Sequence, residues 1–110
     1  MEKQDFNNIE SNQLIDFIDK NAFDVIIHTS PDKYKGQDRE DFENVLKKTK
    51  NEKRKFHDDY KTAKDVKENF NQDVNSEPAH KLDKTIKHLG LPTLPDIKDE
   101  FRKLCNKLDV

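Results

Sequence analysis

Histidine, cysteine and serine, which carry much of the nucleophile, base and metal chemistry of proteins, are sparse in this chain. There are four histidines, at positions 28, 57, 80 and 88, one cysteine, Cys105, and three serines, Ser11, Ser30 and Ser76. A metal site needs ligands converging on one point. The densest local group, His57, Asp58 and Asp59, is consecutive, and neighbouring residues on a helix point in different directions. His80 and His88 would stand about 12 Å apart along a helix, too far to share an ion. Cys105 follows Leu104 on the apolar edge of a predicted helix, which suits a core thiol better than a nucleophile, for which a neighbouring base would be required. The serines fall at predicted caps or turns, where backbone capping accounts for them. Two glycines leave no material for a phosphate-cradling loop. The expectation is a non-enzyme with no catalytic residue, no metal site and no cofactor.

Charge is distributed less evenly. Of 21 basic and 23 acidic residues, nine basic and four acidic fall between Lys47 and Lys67, so that this stretch is net +5 and the remainder net -7. On one continuous helix Lys47, Lys48, Arg54, Lys55 and Lys61 would form a basic stripe about 20 Å long. A stripe of that kind is able to follow phosphates, although charged outward positions are also the ordinary solvated face of a helix, and no aromatic ladder accompanies these.

Helices must position all of this. Only 31% of residues are hydrophobic and 40% are charged, with mean hydropathy -1.18, so the core is thin and a long exposed helix is expected. Leu14, Ile15, Ile18, Ala22, Val25 and Ile26 recur at steps of three and four, which predicts an amphipathic helix over residues 11–29, capped by Ser11 and stopped by Pro31. A short strand at residues 23–28 is the alternative, since the segment is rich in β-branched residues but has no obvious partner strand. Residues 1–10 read as a flexible arm. Residues 30–38 (SPDKYKGQD) read as a loop.

From residue 37 to 77 there is neither glycine nor proline, and Phe42, Leu46, Thr49, Lys53, Phe56, Tyr60, Ala63, Lys67, Phe70 and Val74 follow a 4, 3, 4, 3 rhythm. That rhythm predicts a coiled-coil-like helix over residues 38–74, about 55 Å long. Its weak point is Lys47 to Lys55, which has no apolar residue, and where Thr49 and Glu52 fit a capping box. Ser76 and Pro78 open a further helix over 77–89, ended by Gly90. The segment LPTLP links it to a last helix over 96–108, giving a helical hairpin. The reading is one all-α domain, a small helical bundle built around one long helix.

Such a surface suits contact with other macromolecules. The leading expectation is an adaptor, assembly or regulatory protein whose exposed helix face, carrying Phe42, Leu46, Phe56, Tyr60 and Phe70, docks on another protein or on a second copy as a homodimer; the structural alternative for the aromatics among them is that the first helix and the terminal hairpin of the same chain dock there. The alternative is association with nucleic acid through the basic stripe. The longest apolar run is Val25, Ile26 and Ile27, far short of the roughly 20 residues that cross a bilayer. No membrane partner is expected. One cysteine and no leader-like N-terminal segment point to a reducing, cytoplasmic setting.

Overall fold

The computed structural model describes the backbone of residues 2–110 and the side chains of residues 9–76 and 81–110. The fold is all-α, with no strand among the described residues. In chain order the helices are α1 (Glu2–Ile18), α2 (Asp24–Ile27), α3 (Gln37–Asp58), α4 (Ala63–Asn75), α5 (Glu77–His88) and α6 (Lys98–Lys107). The chain measures 51 × 22 × 19 Å along its principal axes.

The first helix starts nine residues before its expected cap. Residues 2–10 contain no helix breaker, so the helix propagates from Glu2, and the flexible arm expected over 1–10 is, from Glu2 onward, the opening of α1. Ser11 is only 4% exposed within that helix and does not cap it. Residues 19–23 form a π-helical turn in which the Asp24 N–H reaches back five residues to the Asp19 carbonyl. The wider turn adds a residue between the apolar positions of α1 and those of α2. Ile18, Ala22, Phe23 and Ile26 are all buried as a result. The segment 22–28 is therefore helical and not a strand.

The predicted 38–74 helix is broken, at Asp59–Thr62 and not near Thr49. Thr49 lies inside α3 and is 4% exposed, so the Thr49 and Glu52 signature starts nothing. The same chemistry operates thirteen residues later. Thr62 is extended, and its hydroxyl accepts from the Asp65 N–H at 3.1 Å to cap α4. The physical reason for the break is burial. Turning the chain brings Phe56 of α3 and Val66, Phe70 and Val74 of α4 into one core, which a straight helix of that length would spread along its axis.

Two apolar clusters result. The larger joins α1, the π turn, the end of α3, α4 and α6 around Leu14, Ile18, Phe56, Phe70, Phe101 and Cys105. Phe70 and Phe101 stack at 4.0 Å between ring centroids. The smaller joins α2, the first half of α3 and α5 through Ile26, Tyr34, Phe42, Val45, Ile86, Leu89 and Leu91. Tyr34 fastens the loop before α3 to the end of α5, its hydroxyl donating to the Leu89 carbonyl at 2.7 Å.

The ends of α5 and α6 explain their own geometry. Gly90 has φ +76°, its N–H bonds to Lys87 O, and the Leu91 N–H bonds to Ile86 O. This is a Schellman ending, in which Ile86 and Leu91 also meet in the smaller cluster. The expected extended linker ends in a reciprocal cap: the Thr93 N–H bonds to Asp96 Oδ2 at 3.0 Å, and the Asp96 N–H to Thr93 Oγ1 at 3.4 Å. Burial pulls the Asp96 carboxyl upward, but the two bonds with Thr93 and the nearby Lys87 ammonium outweigh it and hold the group below its ordinary value.

Candidate functional site

The aromatic face expected to meet a partner lies inside the molecule. Phe42 and Phe56 are 0% exposed and Phe70 is 1% exposed, while Leu46 and Tyr60 are half-buried against the same clusters. Phe56 meets Phe23 at 5.7 Å and Tyr60 edge-on at 4.8 Å. The heptad seam is satisfied by this chain's own helices, so these five residues form no exposed dimer face. Helical spacing marked them as one apolar set, but the fold divides them, Phe42 and Leu46 into the smaller cluster and Phe56, Tyr60 and Phe70 into the larger, and spacing does not say whether the covering surface belongs to the same chain.

The basic residues lie where solvent reaches them. Lys47, Lys48, Arg54, Lys55 and Lys61 are all exposed, together with Lys50. Lys47 with Arg54, and Lys48 with Lys55, form two heptad-spaced rows on α3. Lys61 does not continue them, because it lies beyond the end of α3, where its ammonium donates to the Asp58 carbonyl at 2.8 Å. The stripe shortens from the expected 20 Å to about 12 Å, from Lys47 to Lys55.

Among the described residues, three other cations are paired with carboxylates. Lys53 bonds to Asp24 at 2.6 Å, Arg39 lies 3.7 Å from Asp32 and 3.6 Å from Glu43, and Lys87 lies 3.4 Å from Asp96. Among the described residues, Lys47, Lys48, Lys50, Arg54 and Lys55 form no ion pair. Exposed acids close both ends of the basic segment, Glu40 and Glu43 before it and Asp58 and Asp59 after it.

Two histidines are more engaged than the sequence suggested. His57 Nε2 lies 2.8 Å from Asp19 Oδ2, and His88 Nε2 lies 3.1 Å from Asp38 Oδ1. The first pair matters to the fold. With Lys53 and Asp24, it holds the π turn against α3 at two points. Asp19 is 6% exposed, and burial raises its carboxyl above the ordinary value despite the lowering effect of His57. The signal in the sequence was too weak to find this pair, since Asp19 and His57 are 38 residues apart.

Among the described residues no group of three or more His, Cys, Asp or Glu side chains is placed to hold a metal. His80 lies outside the described side chains. Cys105 is fully buried, and burial pushes its thiol pKa up, against the lowering influence of Lys67. A neutral, inaccessible thiol is a poor nucleophile.

One feature escaped the sequence altogether. Where the two clusters meet, the π turn, α2, α3, α4, α5 and the segment 92–94 line a half-open cavity of about 250 Å³. Its walls include Ala22, Phe23, Ile26, Leu82 and Ile86, and three acids, Glu52, Asp73 and Asp83, line the same space. The Asp73 and Glu52 carboxyls are within hydrogen-bonding reach. Burial first, then that bond and the Glu52 charge, push Asp73 up to about 7, with Lys55 opposing. Two carboxyls that share a proton cannot both ionise cheaply in a partly apolar wall. Glu52 and Asp73 are 21 positions apart on different helices, so no local motif could announce them.

Compared with known proteins, the chain matches no family model, no curated protein and no solved structure. Among the described residues no helix is long and apolar enough to cross a membrane.

Proposed function

We propose that this is a non-enzymatic, cytoplasmic protein-binding module, with an adaptor or regulatory role, whose contact surface is the cationic side of α3 from Lys47 to Lys55. The observation that carries the reading is the group of exposed, internally unpaired cations Lys47, Lys48, Lys50, Arg54 and Lys55, in a molecule whose other α3 cations, Arg39 and Lys53, have carboxylate partners. A partner's carboxylates would relieve their mutual repulsion and supply charge-assisted hydrogen bonds.

Length and flanking charge argue for a protein partner. A cationic segment about 12 Å long bounded by Glu40, Glu43, Asp58 and Asp59 suits a compact acidic patch. A nucleic acid running along α3 would meet repelling carboxylates at both ends. Electrostatic complementarity of this kind acts mainly through association rate and choice of partner.

The second reading, nucleic-acid association, rests on the same cations and predicts affinity falling steeply with salt. Charge reversal in the middle of the stripe, Arg54→Glu with Lys55→Glu, tests both. The expected result is loss of captured proteins from nuclease-treated extract by about tenfold or more, with an unchanged helical circular dichroism spectrum. Labelled single-stranded and duplex DNA are expected to bind wild type weakly. Tight, salt-steep DNA binding lost on charge reversal would favour the second reading, and capture indifferent to the reversal would sink the proposal.

A further inference from the structure

The cavity between the two clusters has three properties that belong together in a ligand site. It is walled largely by hydrocarbon, from Ala22, Phe23, Ile26, Leu82 and Ile86. Its polar groups converge from three different helices: Glu52 from α3, Asp73 from α4 and Asp83 from α5. Asp73 Oδ2 is buried and finds no hydrogen-bond partner among the described residues, an expensive state for a carboxyl oxygen unless the group keeps the proton it shares with Glu52. An apolar concavity with a few convergent polar groups is the usual form of a small-molecule site.

We infer that this cavity is a binding site for a small organic cation, an ammonium group carried on a compact hydrocarbon body. The ammonium would sit between Glu52 and Asp73, donating to the Asp73 Oδ2 that otherwise lacks a donor, and the hydrocarbon would lie against Ile26, Leu82 and Ile86. Size limits the ligand. An apolar cavity of about 150 Å³ accepts benzene, so 250 Å³ holds about ten non-hydrogen atoms. Charge selects its sign. Among the described residues, Lys48 is the one cation lining the space, and it is exposed; Lys55 acts on Asp73 from α3. Against these stand three carboxyls, which disfavour an anion and leave a neutral ligand without compensation for Asp73.

Binding and protonation compete in this arrangement. The carboxyl pair holds a proton up to about pH 7, and the ammonium must replace it. An aliphatic amine is charged at both pH 6 and pH 8, so the site's own charge controls affinity. With a midpoint near 7, the ionised fraction rises about tenfold from pH 6 to pH 8, and apparent affinity follows that fraction.

The test uses the full chain with cyclohexylmethylamine and its neutral isostere cyclohexylmethanol, followed by amide chemical-shift titration at pH 6 and pH 8. The expected result is saturable one-to-one binding of the amine, with shifts concentrated at Ile26, Leu82, Ile86 and Thr93 and affinity about tenfold tighter at pH 8. The alcohol should bind at least tenfold more weakly. Asp73→Asn should reduce amine affinity about tenfold and leave the alcohol unaffected. If that variant does not fold, Glu52→Gln takes its place with the same expectation. The proposal is overturned by an amine that does not saturate below 10 mM, by an alcohol that binds as well as the amine, or by affinity that does not change with pH. The titration reads small-molecule binding to the isolated chain, so although Lys48 and Lys55 also belong to the cationic side of α3, its outcomes do not depend on whether a protein docks there.

Discussion

The two apolar clusters bury their residues by different means. In the larger one, side chains from α1, α4 and α6 interlock at full burial, with Phe70 stacked on Phe101 and Cys105 sealed between helices. The smaller depends on fastenings as much as on area. The Tyr34 hydroxyl holds Leu89, and a Schellman ending turns Leu91 back on Ile86. It also borders the cavity, so Ile26 and Ile86 are packed on one side and face open space on the other. The buried residues of the larger cluster meet the same cavity only at Ala22 and Phe23. The rest of them are packed on all sides and transmit any loss to the whole fold, whereas the smaller cluster is able to loosen locally beside the cavity. The difference teaches where this chain keeps its stability and where it has room for a ligand.

Deleting an aromatic from the larger cluster should break that contrast most severely. Phe70→Ala removes a ring that is 1% exposed and is expected to cost about 3–5 kcal/mol, enough to unfold a marginal domain. A chemical denaturation midpoint would show it. If the variant retained wild-type stability, the larger cluster would not be the principal core.

Ile86→Ala in the smaller cluster is expected to cost less, about 2–3 kcal/mol, in the lower part of the range for such truncations, because the cavity already gives neighbours room to adjust. Hydrogen exchange should quicken in α5 and the first half of α3 well before α1, α4 and α6. Uniform acceleration throughout the chain would show the two clusters to be one cooperative unit.

A pH dependence sharpens the comparison at the junction. Asp73 has a folded pKa of about 7 and an unfolded one near 3.9, so the folded state holds the extra proton between those values. Its contribution is fully present below about pH 4, declines as pH rises to about 7, and is lost above it. Asp19, also raised, adds to the same slope. Denaturation across pH 4 to 8 should therefore show stability falling and then levelling, and Asp73→Asn should flatten the fall without abolishing it. A variant with the wild-type slope would mean that the carboxyl pair does not hold its proton.

Much of this molecule could be read from the order of its residues. Leu14, Ile15, Ile18, Ala22 and Ile26 marked one buried stripe, although Val25, read as part of it, is exposed; Ser76 and Gly90 bracketed α5, and the charge count located the cationic segment. Each of these signals is local, set by helix periodicity, capping chemistry or glycine's freedom at positive φ. The π turn at residues 19–23 was not legible, because a single extra residue per turn is worth making only when Asp19 meets His57 and Asp24 meets Lys53 on another helix. Nor was the break at Asp59–Thr62, since Thr49 and Thr62 present similar caps and only the position of the core chooses between them.

Spacing and composition along the chain suffice to make it helical, to mark which positions are apolar and to place its positive charge, because none of these depends on contact between distant segments. Tertiary structure alone decided that Phe42, Phe56 and Phe70 face inward, that the basic stripe ends at Lys55, and that Glu52, Asp73 and Asp83 share a cavity. Those outcomes depend on which surfaces meet after the chain turns at residues 59–62, and burial, desolvation and proton sharing are properties of the meeting surfaces, not of either segment alone.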